Sequence, residues 1–297
     1  MDSILNKAIV LHQKGDYKEA EELYLTILGS CPESDRVLYL LGMLYHQCGY
    51  HGKAITYLEK AVDLNSGHFD YRAHLGRVYH FYDEQEKAIS MLESALEICP
   101  ESAEVFDLLG SCLKAQKRFE NALVYSSKAI ALEPGSPIYQ TNHGNILSSL
   151  GCLIEATQAY QKSIELKPDY ALAWCNWGDT LRQIGALDAA IERCSKAIEL
   201  VPHYADAYRN RGIAYLLKGE LEKGWNDYEW RLHALEPSVS RLCTGRPKWD
   251  GRSLHGKRLL ILEEQGIGDF FQMCRYIPLL KDMGGEIVCQ IRKAVLP

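Results

Sequence analysis

The stretch that decides the fold is residues 171–204, ALAWCNWGDTLRQIGALDAAIERCSKAIELVPHY. Trp174, Trp177 and Leu181 recur at helical spacing and predict an amphipathic helix. Gly178 lies inside that helix, Ala190 follows twelve residues later, and Pro202 twelve beyond that. The same order recurs along the chain. Gly42, Gly76, Gly110, Gly144, Gly178 and Gly212 are each 34 residues apart, in a register that runs back to Ala8. Ala20, Ala54, Ala88, Ala122, Ala156 and Ala190 keep the second small place. Pro32, Pro100, Pro134, Pro168 and Pro202 keep the third, with Ser66 as the exception. Six units fill residues 1–204 without an insertion, and a seventh begins at Ala205. Self-similarity at such a period is the signature of a repeat array.

The physics of one unit is legible. Apolar residues at its fourth, seventh and eleventh places (Leu38, Leu41 and Tyr45; Phe106, Leu109 and Leu113) form the stripe of a first helix. The eighth-place Gly and twentieth-place Ala carry almost no side chain, so two antiparallel helices approach closely there. Gly49, Gly151, Asp83 and Lys117 at the fifteenth place mark the turn between them. The late proline ends the second helix, because it lacks an N–H and clashes with the preceding turn. One such pair cannot bury its stripe alone, whereas stacked pairs bury a continuous core.

Composition narrows the remaining choices. The chain has 297 residues, 47% hydrophobic and 24% charged, as expected of folded protein rather than a disordered polymer. That length predicts two domains. No run of 18 apolar residues occurs and the N-terminus has no secretory pattern, so no membrane span and a cytoplasmic setting are expected. The net charge of −6 argues against nucleic acid as a partner. The charge is uneven: residues 1–234 carry 23 Lys/Arg against 32 Asp/Glu, and residues 235–297 carry ten against seven. Ten scattered cysteines with no Cys-x-x-Cys pair predict buried thiols in a reducing compartment and no zinc site.

The repeated residues resemble the tetratricopeptide repeat pattern over about residues 1–234. The resemblance implies an all-α fold: an α-solenoid of about seven 34-residue helix-turn-helix repeats, its concave groove lined by first helices. It implies protein or peptide binding as the activity and leaves the partner open. In that family the second, fifth, sixth, ninth, twelfth and thirteenth places tend to face the groove. Asn142, Asn176 and Asn210 share the sixth place in units 5–7, with Asn145 and Asp179 at the ninth. An amide offers donors and an acceptor that hold peptide backbone without reading sequence. The ladder they form is similar to one in the repeat arm of O-GlcNAc transferases. Bonding between helices is the alternative role for these amides. His12, His46 and His80 share the twelfth place, but helix axes about 8–10 Å apart keep all three from one zinc ion, so solvated groove histidines are expected. A chaperone-tail clamp is not expected, because Thr141, Asp206 and Asn210 stand where it needs cations.

Past the seventh unit the period changes. Trp225, Tyr228 and Trp230 crowd the last helix, either to cap the array or to dock the C-terminal segment. Residues 235–256 read as a linker. The segment from 257 on predicts a strand (257–262), a Gly turn, a helix (270–283) and a second strand (286–291), a short α/β fragment of βαβ type. Pro247, Trp249, Gly256, Lys257, the run Glu264–Asp269, Gln272, Arg275 and Tyr276 resemble the junction of bacterial repeat–glycosyltransferase fusions with a GT-B, heptosyltransferase-like catalytic part. That resemblance implies Asp269 as the base that activates an acceptor hydroxyl, with Gly266 and Gly268 shaping an anion-binding loop. A helix N-cap is the alternative for Asp269. One βαβ unit cannot supply the two lobes of such an enzyme. These 297 residues are therefore expected to bind protein rather than catalyse, with no cofactor unless a full transferase domain brings a nucleotide-sugar donor.

Overall fold

A computed structural model of the chain describes residues 2–234, 249–262 and 274–290. Residues 2–228 form seven helix pairs in the predicted register. The first helices are α1 (Asp2–Lys14), α3 (Asp35–Gln47), α5 (Phe69–Phe81), α7 (Ala103–Ala115), α9 (Pro137–Ser149), α11 (Ala171–Ile184) and α13 (Ala205–Lys218). The second helices are α2 (Tyr17–Ser30), α4 (His51–Leu64), α6 (Gln85–Ile98), α8 (Phe119–Leu132), α10 (Leu153–Leu166), α12 (Leu187–Leu200) and α14 (Leu221–Tyr228). A short α15 (Arg231–Ala234) completes the helical part.

The small residues do what their places predict. A Cβ added to Gly178 would stand 2.5 Å from the Cys194 sulfur and 3.2 Å from the Ala190 carbonyl, so the two helices cross with no room for a side chain. The fifteenth place is left-handed in all seven units, and five of its occupants are glycine; Asp83 (φ 64°) and Lys117 (φ 61°) are not. The missing proline at Ser66 changes nothing, since α4 ends at Leu64 in step with its counterparts. There Asn65 Nδ2 donates to the Asp35 carboxylate at 2.9 Å and secures the corner instead.

First helices of successive units touch one another from α5 onward, while the main contacts of second helices are to first helices. The array therefore curves with its first helices on the inside. At its end Trp230 folds back to stack on Tyr208, 4.1 Å between ring centres, whereas Trp225 stays 54% exposed. The aromatic cluster is thus divided between capping the array and facing solvent.

Beyond the helices, β1 (Arg258–Leu262) pairs in parallel with β2 (Glu286–Gln290), Arg258 opposite Glu286 and Leu262 opposite Gln290. Between them lies α16 (Ile277–Asp282), with Pro278 in its first turn, where the missing N–H would have had no helical partner anyway. The described helix is shorter than the one predicted over 270–283, of which residues 270–273 lie outside the described residues. Gly284, at φ 84°, closes it, and Gly285 comes within reach of the buried Leu254. The nine cysteines in the described residues are all free, with Cys112, Cys175 and Cys194 buried. Among the described residues no helix is long and apolar enough to cross a membrane.

Candidate peptide-binding groove

Place in the unit decides what reaches the inner face. In units 3–6 the fifth-place side chains do not, contrary to the expectation: Ala73, Asp107, Thr141 and Cys175 are all buried. That place faces the first helix of the next unit. It bonds there with the sixth place 35 residues on, in the pairs Tyr39–His74 (2.6 Å), Asp107–Asn142 and Cys175–Asn210. Asn142 Nδ2 donates to both Asp107 oxygens, at 3.1 and 2.9 Å, and Asn210 Nδ2 to the Cys175 sulfur at 3.5 Å. At the junction of units 5 and 6 the ladder steps sideways. Asn176 Nδ2 donates to Asn145 Oδ1 at 2.8 Å, and the Tyr160 hydroxyl donates to the same oxygen at 2.9 Å.

The sixth-place amides therefore bond between helices, yet they keep unused groups. Among the described residues Asn145 Nδ2, Asn142 Oδ1 and Asn176 Oδ1 have no hydrogen-bond partner. Asn210 is different: it is 7% exposed, turned into the core against Cys175, and lines no cavity on this face. Asp179 accepts from Arg182 at 2.7 Å and from Gln183 at 2.9 Å.

Two adjoining cavities, each of about 220 Å³, open on the inner face, one between α7, α9 and α11 and the other between α5, α7 and α9. One is lined by Lys114, Asn145, Ser148, Asn176, Asp179 and Thr180, with Tyr160 behind them. The other is lined by His80, Ser111, Lys114, Asn142, Asn145 and their neighbours. Lys114 and Asn145 form the wall between the two. Four of the five candidate residues for peptide contact singled out in the sequence, Asn142, Asn145, Asn176 and Asp179, thus meet around these cavities. Burial raises the carboxyl of Asp107, under this floor, to about 6, and the Asn142 bond only partly opposes the shift.

The structure lies beside three independent comparisons. Tetratricopeptide-repeat family models match residues 3–35, 35–68, 103–136, 139–170 and 178–219, together more than half of the chain. The chain belongs to the tetratricopeptide repeat proteins. Two of the matched stretches, 35–68 and 103–136, coincide with units 2 and 4 as the glycine register divides them. Protein FlbA of Caulobacter vibrioides is 34% identical over 68 residues, a match covering 23% of this chain and 11% of FlbA. A tetratricopeptide repeat protein from Parabacteroides merdae superposes with a TM-score of 0.70 at 18% identity, over 81% of this chain and 96% of that one. The hetero-tetramer Cut9–Hcn1 of the APC/C gives a TM-score of 0.66 at 18% identity, over 82% of this chain and 49% of that one. Likeness at that identity concerns fold.

The histidines of this tetratricopeptide array take separate partners. His12 bonds Tyr24 at 3.3 Å and Gln47 at 3.1 Å; His80 bonds Gln85 at 2.8 Å and lies 3.3 Å from the Cys112 sulfur. His46 packs edge-on against Phe81 and Tyr82. Burial holds His12 and His46 below the usual imidazole range, which makes them half-buried neutral rings rather than the solvated ones expected. Asp269, Gly266 and Gly268 lie outside the described residues. Lys114 escaped the reading of the sequence, although it continues the twelfth-place series His12, His46, His80 and was visible as its fourth member.

Proposed function

We propose that this chain is a protein-interaction module that holds an extended peptide across the inner face of units 4–6. The observation that supports it is the pair of cavities on either side of Asn145. Each is smaller than the roughly 300–1,000 Å³ of a small-molecule pocket and suits one side chain of a peptide. Between them the unused amide groups of Asn142, Asn145 and Asn176 offer donors and acceptors for peptide backbone. This reading needs no catalytic part and describes an adaptor as well as it describes a recruiting arm.

The glycosyltransferase setting is the second reading. It draws on the resemblance at residues 247–276 and on the parallel β1–β2 pair, the arrangement a βαβ lobe starts with. The matched family stretches lie within residues 3–219, so they lend it nothing. In that setting Asp269 is the residue to substitute.

Ser148→Trp fills the first cavity and Ser111→Trp the second, without touching the amide bonds. Peptides selected from a phage-displayed library on the full chain should bind either variant at least about tenfold more weakly, a loss of about 1.4 kcal/mol. Circular dichroism should show unchanged helicity and melting. Undiminished binding to both variants overturns the reading.

A further inference from the structure

The twelfth place runs His12, His46, His80, Lys114, Ser148, Arg182 and Leu216 along the array. Of these, Lys114 alone contributes to both cavities as a cation. Two neighbouring cations on first helices are neutralised on the spot: Arg77 pairs with Glu104, and Arg182 with Asp179. The Lys114 ammonium has no ion pair or hydrogen bond among the described residues. It is half-buried, and burial alone draws its ammonium below the ordinary lysine range, with no carboxylate near enough to oppose the shift. The carboxylates that share its surroundings are engaged. Asp179 is held by Arg182 and Gln183, and Asp107 lies under the floor with both oxygens on Asn142. The hydroxyls of Ser111, Ser148 and Thr180 and the amides of Asn142, Asn145 and Asn176, which line the cavities with Lys114, carry no charge to balance it. A half-buried ammonium with no carboxylate partner, lining the same cavities as an unused amide N–H, suits an anionic oxygen.

We propose that Lys114 receives the carboxylate of an Asp or Glu side chain of the bound peptide, with Asn145 Nδ2 and a serine hydroxyl donating to the same group. The proposal deepens the peptide reading above and rests on it. Residues 1–234 carry 32 acidic against 23 basic residues, so the field of the whole array does not attract such a ligand. One local cation then confers selectivity rather than speed of association.

A phage-displayed random dodecapeptide library panned on the full chain is the probe. On the wild type it should enrich Asp or Glu at one fixed position of the selected peptides; on Lys114→Met that enrichment should vanish, and on Lys114→Arg it should persist. For a selected peptide, changing its acid to the matching amide should weaken binding to the wild type about tenfold or more and leave binding to Lys114→Met nearly unchanged. The site is overturned if the selected peptides share no acid, or if the acid matters equally to Lys114→Met. Should that happen while Ser148→Trp still blocks binding, the groove stands and only its carboxylate preference falls. A library that yields no binder, or binders indifferent to both Ser148→Trp and Ser111→Trp, removes the peptide reading and the site with it.

Discussion

Units 1–3 and units 4–7 share one register and fill it differently. Every buried side chain of the first three is apolar or a tyrosine, and their core runs unbroken from Ala8 into unit 5. The buried polar residues, Asp107, Ser126, Gln140, Thr141, Ser163, Thr180 and Asn210, all lie from unit 4 onward, where the remaining core separates into two small clusters. The inner face divides at the same point. In units 2 and 3 rings crowd it, with His46 edge-on to Phe81 at 5.2 Å and to Tyr82 at 5.8 Å. In units 4 and 5 Ser111 and Asn145 stand at the ninth place, where units 2 and 3 have Met43 and Arg77, and Ser148 stands where unit 2 has His46; these smaller side chains line the two cavities. Hydrocarbon burial is strong and indifferent to angle, whereas a hydrogen bond is weak on balance and directional. The first half is built to cohere, and the second to hold polar groups in place around a space.

That contrast breaks most readily at the core. Leu75 is fully buried in the apolar half, and Leu75→Ala should cost about 2–5 kcal/mol in a urea titration. Thr141 is equally buried in the polar half and bonds Ser163 Oγ at 2.8 Å and the Pro137 carbonyl at 3.0 Å. Thr141→Val keeps its shape, and Ser163 retains its own bond to Pro137 at 2.8 Å, so the loss should be about 1 kcal/mol. Equal losses from the two variants would mean that the polar half coheres as strongly as the apolar one.

Next comes Asp107→Asn, which reads the cost of a buried carboxylate. Because the folded carboxyl is raised to about 6 from its ordinary 3.8, it contributes stability that is complete below about pH 4 and is lost as pH rises through 6. An asparagine oxygen can still accept from Asn142 without a charge to bury. The variant should therefore gain on the wild type between pH 4 and 7, reaching on the order of 3 kcal/mol and then levelling off. Unfolding titrations at pH 4.5, 6 and 7.5 measure it; a difference independent of pH would show that Asp107 is ionised without penalty.

Much of this division stood in the sequence, and the part that did not had a physical cause. The 34-residue register placed each turn, because glycine, alanine and proline act through backbone geometry that does not depend on neighbours. The cavity-lining amides were likewise visible as residue types. Their partners were not, because a side chain's exposure depends on the unit stacked beside it. Asn142 and Asn210 share the sixth place, yet one meets a carboxylate at the groove floor and the other a thiol in the core. The signal that would have told them apart is the spacing of 35, from the sixth place of one unit to the fifth of the unit before, in Tyr39–His74, Asp107–Asn142 and Cys175–Asn210. Lys114 was overlooked for another reason: its significance lies in the carboxylate it lacks, and a missing partner leaves no mark on sequence.

The smallest expected effect tests where the halves meet. Asp83 and Lys117, the non-glycine residues of the left-handed turn place, belong to units 3 and 4, on either side of the change in core chemistry. A residue with a Cβ is strained there by about 1–2 kcal/mol, and glycine relieves the strain while adding freedom to the unfolded chain. Asp83 has local compensation, since its carboxylate accepts from Gln85 Nε2 at 3.0 Å. Lys117 shows no such bond among the described residues, so Lys117→Gly should stabilise the array by about 0.5–1 kcal/mol, and Asp83→Gly by less. Hydrogen exchange should place the gain in α7 and α8, leaving α1–α4 unchanged. A gain spread evenly over all seven units would mean that the array unfolds as one body, and that the two halves differ in chemistry without differing in cohesion.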